Sequence, residues 1–178
     1  MPDMLPELSA NKQPNFHSQG FWIAVSTERC EECFEYTPCF AFLLPSGHEE
    51  LDLEVDEKEP LEWLTKPYEA LLQEIWSLSA NAVERMQSFT ETYYVDSCDE
   101  TGSPYWANHC QHCGAMLDEF LMVGEVGGGF CPGSFQQAEE QIKLHWYDEP
   151  FWAYSFGIST GDWVESLIAP EFHVSNPR

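Results

Sequence analysis

Between residues 21 and 44 apolar positions first alternate with polar ones and then crowd together. The stretch "FWIAVSTERC" reads as a strand running into Cys30, and "YTPCFAFLLP" as its antiparallel return. The turn between them holds "CEEC", which places a cysteine pair at the tip of a hairpin. A second hairpin is predicted over "TETYYVDSCDETGSPYWANHC", with its turn at "DETGSP" and its second strand delivering Cys110. Between the hairpins, Leu61, Leu64, Tyr68, Leu71, Ile75, Leu78, Ala82, Met86 and Phe89 recur at steps of three and four. That spacing predicts an amphipathic helix with one apolar stripe, Pro60 and Pro67 suiting first-turn positions or a bend. Further on, "AMLDEFLMV" reads as a strand and "GEVGGGFCPGS" as a flexible loop. After these, "FQQAEEQIKL" reads as a short helix, "FWAYSFGIS" as a strand and "DWVESLI" as a final amphipathic piece.

Residues 1–20, rich in Pro, Asn, Ser and Gln, read as a loose N-terminal arm, and residues 21–178 as a single domain. The expected class is α+β: zinc-ribbon β-hairpins with an antiparallel sheet and one long inserted amphipathic helix. The insertion, an acidic segment followed by the helix, spans about residues 48–90. A chain of 178 residues is long enough to bury a sizeable core. Its 43% hydrophobic and 15% aromatic content argues against disorder.

Charge changes the picture. Seven Lys and Arg stand against 31 Asp and Glu, a formal net charge of -24, so a phosphate backbone is repelled and direct nucleic-acid binding is not expected. The segment "HEELDLEVDEKEPLE" concentrates eight acids and one lysine; it reads as a solvated loop or edge strand, or as a docking surface for a basic partner. No run reaches the length of a membrane span and the first residues lack signal-peptide character, so a cytoplasmic protein with no membrane partner is expected. In a reducing compartment seven cysteines are metal ligands or buried thiols sooner than disulfides.

Cys30 and Cys33, with Cys110 and Cys113, form two pairs with two residues between the members of each. Such a pair makes a tight turn in which both sulfurs reach one ion and backbone N–H groups point at the thiolates; two turns complete a tetrahedron. Gly114 suits the position after the second pair, where a positive φ is wanted. Four sulfur ligands favour a structural Zn2+ with no open position for chemistry. The long interval between the pairs is no obstacle. Closing it costs about 4 kcal/mol, whereas structural zinc contributes roughly 10–16 kcal/mol at neutral pH. Cys39 reads as a core thiol. Cys98 and Cys131 remain open as members of a different quartet with Cys110 and Cys113, and His109 and His112 as replacement ligands or as hydrogen-bonding groups around the site.

These knuckles resemble those of zinc-ribbon proteins. The stretches "RCEECFEYTPCFAFLLP" and "SPYWANHCQHCGAMLDEFLM" are similar to segments of a set of small bacterial zinc-ribbon-containing proteins. The resemblance covers about a third of the chain and implies Cys30, Cys33, Cys110 and Cys113 as ligands. It departs at Leu117 and Asp118, where the related pattern has Gly-Asp, and implies no activity.

Catalytic signatures are sparse. "HEELD" begins like a metalloprotease helix but has Asp52 where a second His is required, and "GGGFCPGS" lacks the lysine of a phosphate loop. Two function classes follow. One is a non-catalytic interaction module, of inhibitor, immunity or nucleic-acid-mimic type, engaging a basic protein. The alternative is a metal-dependent hydrolase or transferase in the C-terminal half, with His145 and His173 as its least implausible cluster.

Overall fold

A computed structural model of the chain describes residues 13–53, 60–97 and 102–172. In chain order the elements are β1 (Phe16–Ser18), β2 (Phe21–Arg29), β3 (Tyr36–Leu44), β4 (Glu49–Leu51), β5 (Trp63–Thr65), β6 (Ala70–Leu78) and α1 (Ala80–Phe89). They continue with β7 (Tyr93–Ser97), β8 (Pro104–Asn108), α2 (Glu119–Gly124), α3 (Phe135–Gln141), β9 (Lys143–Tyr147), β10 (Phe151–Ser159) and α4 (Asp162–Phe172). The strands form one antiparallel sheet in the order β5-β4-β1-β10-β6-β3-β2-β9, and β8 branches from β6 with β7 beside it.

The sheet centre is buried on both faces, because apolar residues occupy consecutive positions of β2, β3 and β6. In β3, Phe40, Phe42 and Leu44 enter one core while Cys39, Ala41 and Leu43 enter the other. The first core is closed by Ala82 and Met86 of α1, with Tyr93, Trp106, Phe16 and Phe151. Met122 of α2, Ala138 of α3, and Val164 and Ile168 of α4 close the second.

The expected long inserted helix is absent among the described residues, and the expected fold class is corrected accordingly. Leu64 falls in β5, Leu71, Ile75 and Leu78 in β6, and Ala82, Met86 and Phe89 in a shorter helix, α1, while Leu61 and Tyr68 lie between elements. The steps of three and four join residues on opposite sides of an irregular strand, Leu71 of the expected stripe packing in the second core and Ile75 in the first. Ala70 and Leu72 pack in the first core and Leu71 in the second, which is strand alternation, but Ile75 also joins the first core, three residues after Leu72. Between them Glu74 has φ +47°, and the β6–β10 register shifts at Tyr154/Ser155. The left-handed backbone at Glu74 turns Ile75 back to the first core and yields a step of three, and the extra residue of the register shift is Trp76, between the pairs Ser155↔Ile75 and Tyr154↔Ser77. Contacts with β3, β8 and β10 then decide the strand over local propensity.

Smaller differences follow from local chemistry. The segment "AMLDEFLMV" is not a strand: the Asp118 side chain accepts from Phe120 N and starts α2. The end of "FQQAEEQIKL" leaves α3 and becomes β9, which pairs with β2 from Phe21↔Tyr147 to Val25↔Lys143. Phe16–Ser18, in the segment read as an arm, is strand β1 between β10 and β4. The glycine-rich loop is closely packed, since a Cβ on Gly129 would lie 2.6 Å from the Cys39 sulfur. Both hairpins form as expected, with Arg29↔Tyr36 and Tyr93↔Asn108 at their respective ends. Residues 54–59 of the acidic segment lie outside the described residues. No helix among the described residues is long and apolar enough to cross a membrane.

Phe42 is fully buried, with its ring 5.4 Å from that of Phe151 and 5.8 Å from that of Phe21. Phe42→Ala is therefore expected to cost about 3–5 kcal/mol, read as a lower denaturant midpoint at unchanged m-value. A loss under about 1 kcal/mol would contradict the two-faced core.

Candidate metal centre

Each cysteine pair sits in a turn of the same design. In the first, Phe34 N donates to Cys30 O at 2.9 Å and Cys30 N to Glu35 O at 3.0 Å. In the second, Gly114 N donates to Cys110 O at 2.9 Å and Cys110 N to Ala115 O at 2.8 Å. The residue after the second cysteine is left-handed in both, φ +64° at Phe34 and +76° at Gly114. Glycine accepts that conformation freely, whereas an L side chain there costs roughly 1–2 kcal/mol.

The fold brings the turns face to face. β2 and β3 carry the first at their hairpin end, and β8 leads into the second. Three links fasten the second turn to β3. Asn108, buried, accepts from Phe40 N through Oδ1 and donates to Phe40 O through Nδ2, both at 2.8 Å, so its amide acts as a stretch of paired strand. Gln111 N donates to the buried Thr37 Oγ1 at 3.0 Å, and His112 Nε2 lies 3.0 Å from Tyr36 O.

The four sulfurs of Cys30, Cys33, Cys110 and Cys113 all lie within 4.8 Å of one another. Cys30 and Cys113 are 3.6 Å apart, as are Cys33 and Cys110. A tetrahedron with metal–sulfur bonds of about 2.3 Å has edges of about 3.8 Å, so the set fits one tetrahedral ion. Electrostatics agree. At Cys110 burial opposes ionisation, but the N–H groups of Cys113 and His112 and the adjacent thiols overcome it and bring the pKa down to about 6. At Cys33 the Glu35 N–H favours the thiolate, yet burial and the neighbouring sulfurs push the thiol up to about 12. One thiolate is comfortable in this cluster; four require a cation.

The other candidates fall elsewhere. His109 is buried, its ring stacked on Tyr94 at 3.6 Å with Nε2 3.1 Å from Asp96 Oδ2, so it braces the hairpin without joining the sulfurs. His112 supplies its backbone N–H to Cys110 Sγ at 3.4 Å. Cys39 is a core thiol, and Cys131 sits in the turn around Gly128, outside the cluster. Cys98 lies outside the described residues. His48, the start of "HEELD", is buried between Pro45 O and Glu50 Oε1, each 2.9 Å away. His145 is exposed and packs on the Phe89 ring at 4.8 Å, and His173 lies outside the described residues.

Below the first turn a cleft of about 890 Å³ opens between the end of β2, Glu74 of β6 and the start of α2. Here Glu119 accepts from Glu74 N at 2.8 Å. Burial pushes its carboxyl up to about 7, with help from the charges of Glu74 and Asp118 and against that hydrogen bond. Nothing in the sequence marked this cleft or Asn108, because their partners lie far away along the chain.

The chain matches no protein-family model, no curated protein and no solved structure. The cysteine cluster supports a possible zinc site, and no comparison supports the zinc-ribbon resemblance.

Two expectations follow. Asn108→Ala strands two buried backbone groups of β3 and should destabilise the protein by about 2–5 kcal/mol; a change below about 0.5 kcal/mol would contradict the strand-like role. Glu119 keeps its proton in the folded protein up to about pH 7 and loses it near 4.5 when unfolded, so its contribution to stability falls as pH rises across that window. Glu119→Gln removes that slope. Denaturation of both proteins across the window should show their stability difference growing in the variant's favour as pH rises, and parallel curves would refute the assignment.

Proposed function

We propose that Cys30, Cys33, Cys110 and Cys113 hold one structural Zn2+ as thiolates, and that the stapled domain is a non-catalytic interaction module for a basic protein. The role is of inhibitor, immunity or nucleic-acid-mimic type. The observation that carries the metal half is the convergence of two distant thiol pairs, each on a turn whose N–H groups face sulfur, to within 4.8 Å. An all-sulfur set suits zinc, and four protein ligands leave no site for a reacting water. Free thiols fit a reducing cytoplasm, the compartment this reading assigns.

The partner half is supported by charge. With 31 acids against seven Lys and Arg, the protein attracts cationic surfaces and repels nucleic acid and anionic membranes. A dense carboxylate surface speeds encounter with such partners, and salt weakens the attraction.

Elemental analysis of the purified protein should give about one zinc per chain. Cys113→Ser should lose the metal, and chelation should unfold both hairpins, read as loss of near-ultraviolet circular dichroism. A chain that stays folded without metal would overturn the structural role.

A further inference from the structure

Phe34 is an unusual choice for its place. The corresponding position in the other turn is Gly114, and both need left-handed backbone, which strains a phenylalanine. The ring does not compensate by joining a core, being 62% exposed. Its described contact is with the Arg29 guanidinium, 5.1 Å above the ring, while Arg29 Nε donates to Phe34 O at 3.2 Å.

Phe34 borders a groove of about 410 Å³ together with Leu121 and Val126, the latter 81% exposed. Glu28, Glu31 and Glu125 share this lining. The groove runs on past Glu28, Cys30 and Leu121 into the larger acidic cleft, where Phe120 is 68% exposed. Exposed aromatic and aliphatic side chains gathered along one groove and rimmed by polar groups mark a protein-interaction surface. In the cleft Glu32, Glu74, Asp96, Asp118 and Glu119 continue the acidic series beside Met116 and Leu117. Arg29 is the lining cation, and it is already held by Phe34. Among the described residues Glu31, Glu32 and Glu74 enter no ion pair.

We infer that this groove docks a segment of a partner protein in which apolar residues interleave with Lys or Arg, the apolar side chains meeting Phe34, Leu121, Phe120 and Val126 and the cations meeting Glu31, Glu32 and Glu74. The inference rests on the basic-partner reading above and gives it a place. Charge complementarity selects a cationic segment, and the exposed apolar groups demand that it be amphipathic. A purely charged ligand would leave Phe34 and Phe120 in water and the strain at Phe34 without a use.

The test uses the full-length, zinc-loaded protein and two fluorescent peptides of equal charge, one alternating Lys and Leu, the other Lys and Ser. Anisotropy titrations should show the Lys–Leu peptide bound at least tenfold more tightly than the Lys–Ser peptide. Phe34→Gly, which relieves the backbone strain and so keeps the fold, should weaken Lys–Leu binding at least tenfold, and Phe120→Ser likewise. Replacing Glu31, Glu32 and Glu74 together by Gln should lower affinity and flatten its dependence on salt. Equal binding of the two peptides, or wild-type affinity in the Phe34 and Phe120 variants, would overturn the groove while leaving a basic partner in place. If neither peptide binds, the groove is overturned as a docking site.

Discussion

Four thiols held within 4.8 Å cannot all ionise beside one another without a cation, and this constraint organises the molecule around its two turns. Neither turn alone has enough ligands. Each presents two sulfurs and N–H groups that stabilise them, and only their apposition makes a tetrahedral site. The apposition is also held by protein contacts, through the Asn108 amide pairing with Phe40 and the links from Gln111 to Thr37 and His112 to Tyr36. A metal there joins segments whose first and last cysteines are 83 residues apart in sequence. On the proposed reading its binding energy would count as folding energy for that end of the sheet, because the unfolded chain has no comparable site.

The sheet supplies the rigidity that such a junction needs. β3 is the common reference: it pairs with β2 and β6, divides the two cores, and receives Asn108 from the second hairpin. Residues that look like surplus hydrophobicity, such as the run from Cys39 to Leu44, are explained by burial on both faces. The irregular stretch of β6, with Glu74 left-handed, adjoins Ile75, where β8 pairs through Trp106, and the Glu74 N–H meets Glu119 beside the acidic cleft.

The cysteine pairs, both hairpins, α3, β10 and α4 were legible because each rests on short-range patterning: alternation, a turn, a spacing of two residues. The helix expected over Leu61 to Phe89 was not, because its steps of three and four join residues on opposite sides of a strand: Leu71 packs in the second core and Ile75 in the first. Pro60 and Pro67 broke the pattern at its start, and β5 and β6 occupy the interval after them. At α2 the missed signal was local, Asp118 as an N-cap before an apolar run. Asn108 and the groove were beyond sequence reading. Their meaning lies in contacts with Phe40 and among segments near residues 28–34, 74, 96 and 116–128, which no periodicity joins.

A cysteine-pair staple and a net charge of -24 are reconciled if the metal serves the fold and the carboxylates serve recognition. The metal half is the foundation, since the groove is bordered by the first turn and Cys30 itself. X-ray absorption at the zinc edge of the metal-loaded protein tests it most directly. The account predicts a single shell of four sulfurs at about 2.3 Å; a shell containing nitrogen or oxygen, or fewer than four sulfurs, would contradict it.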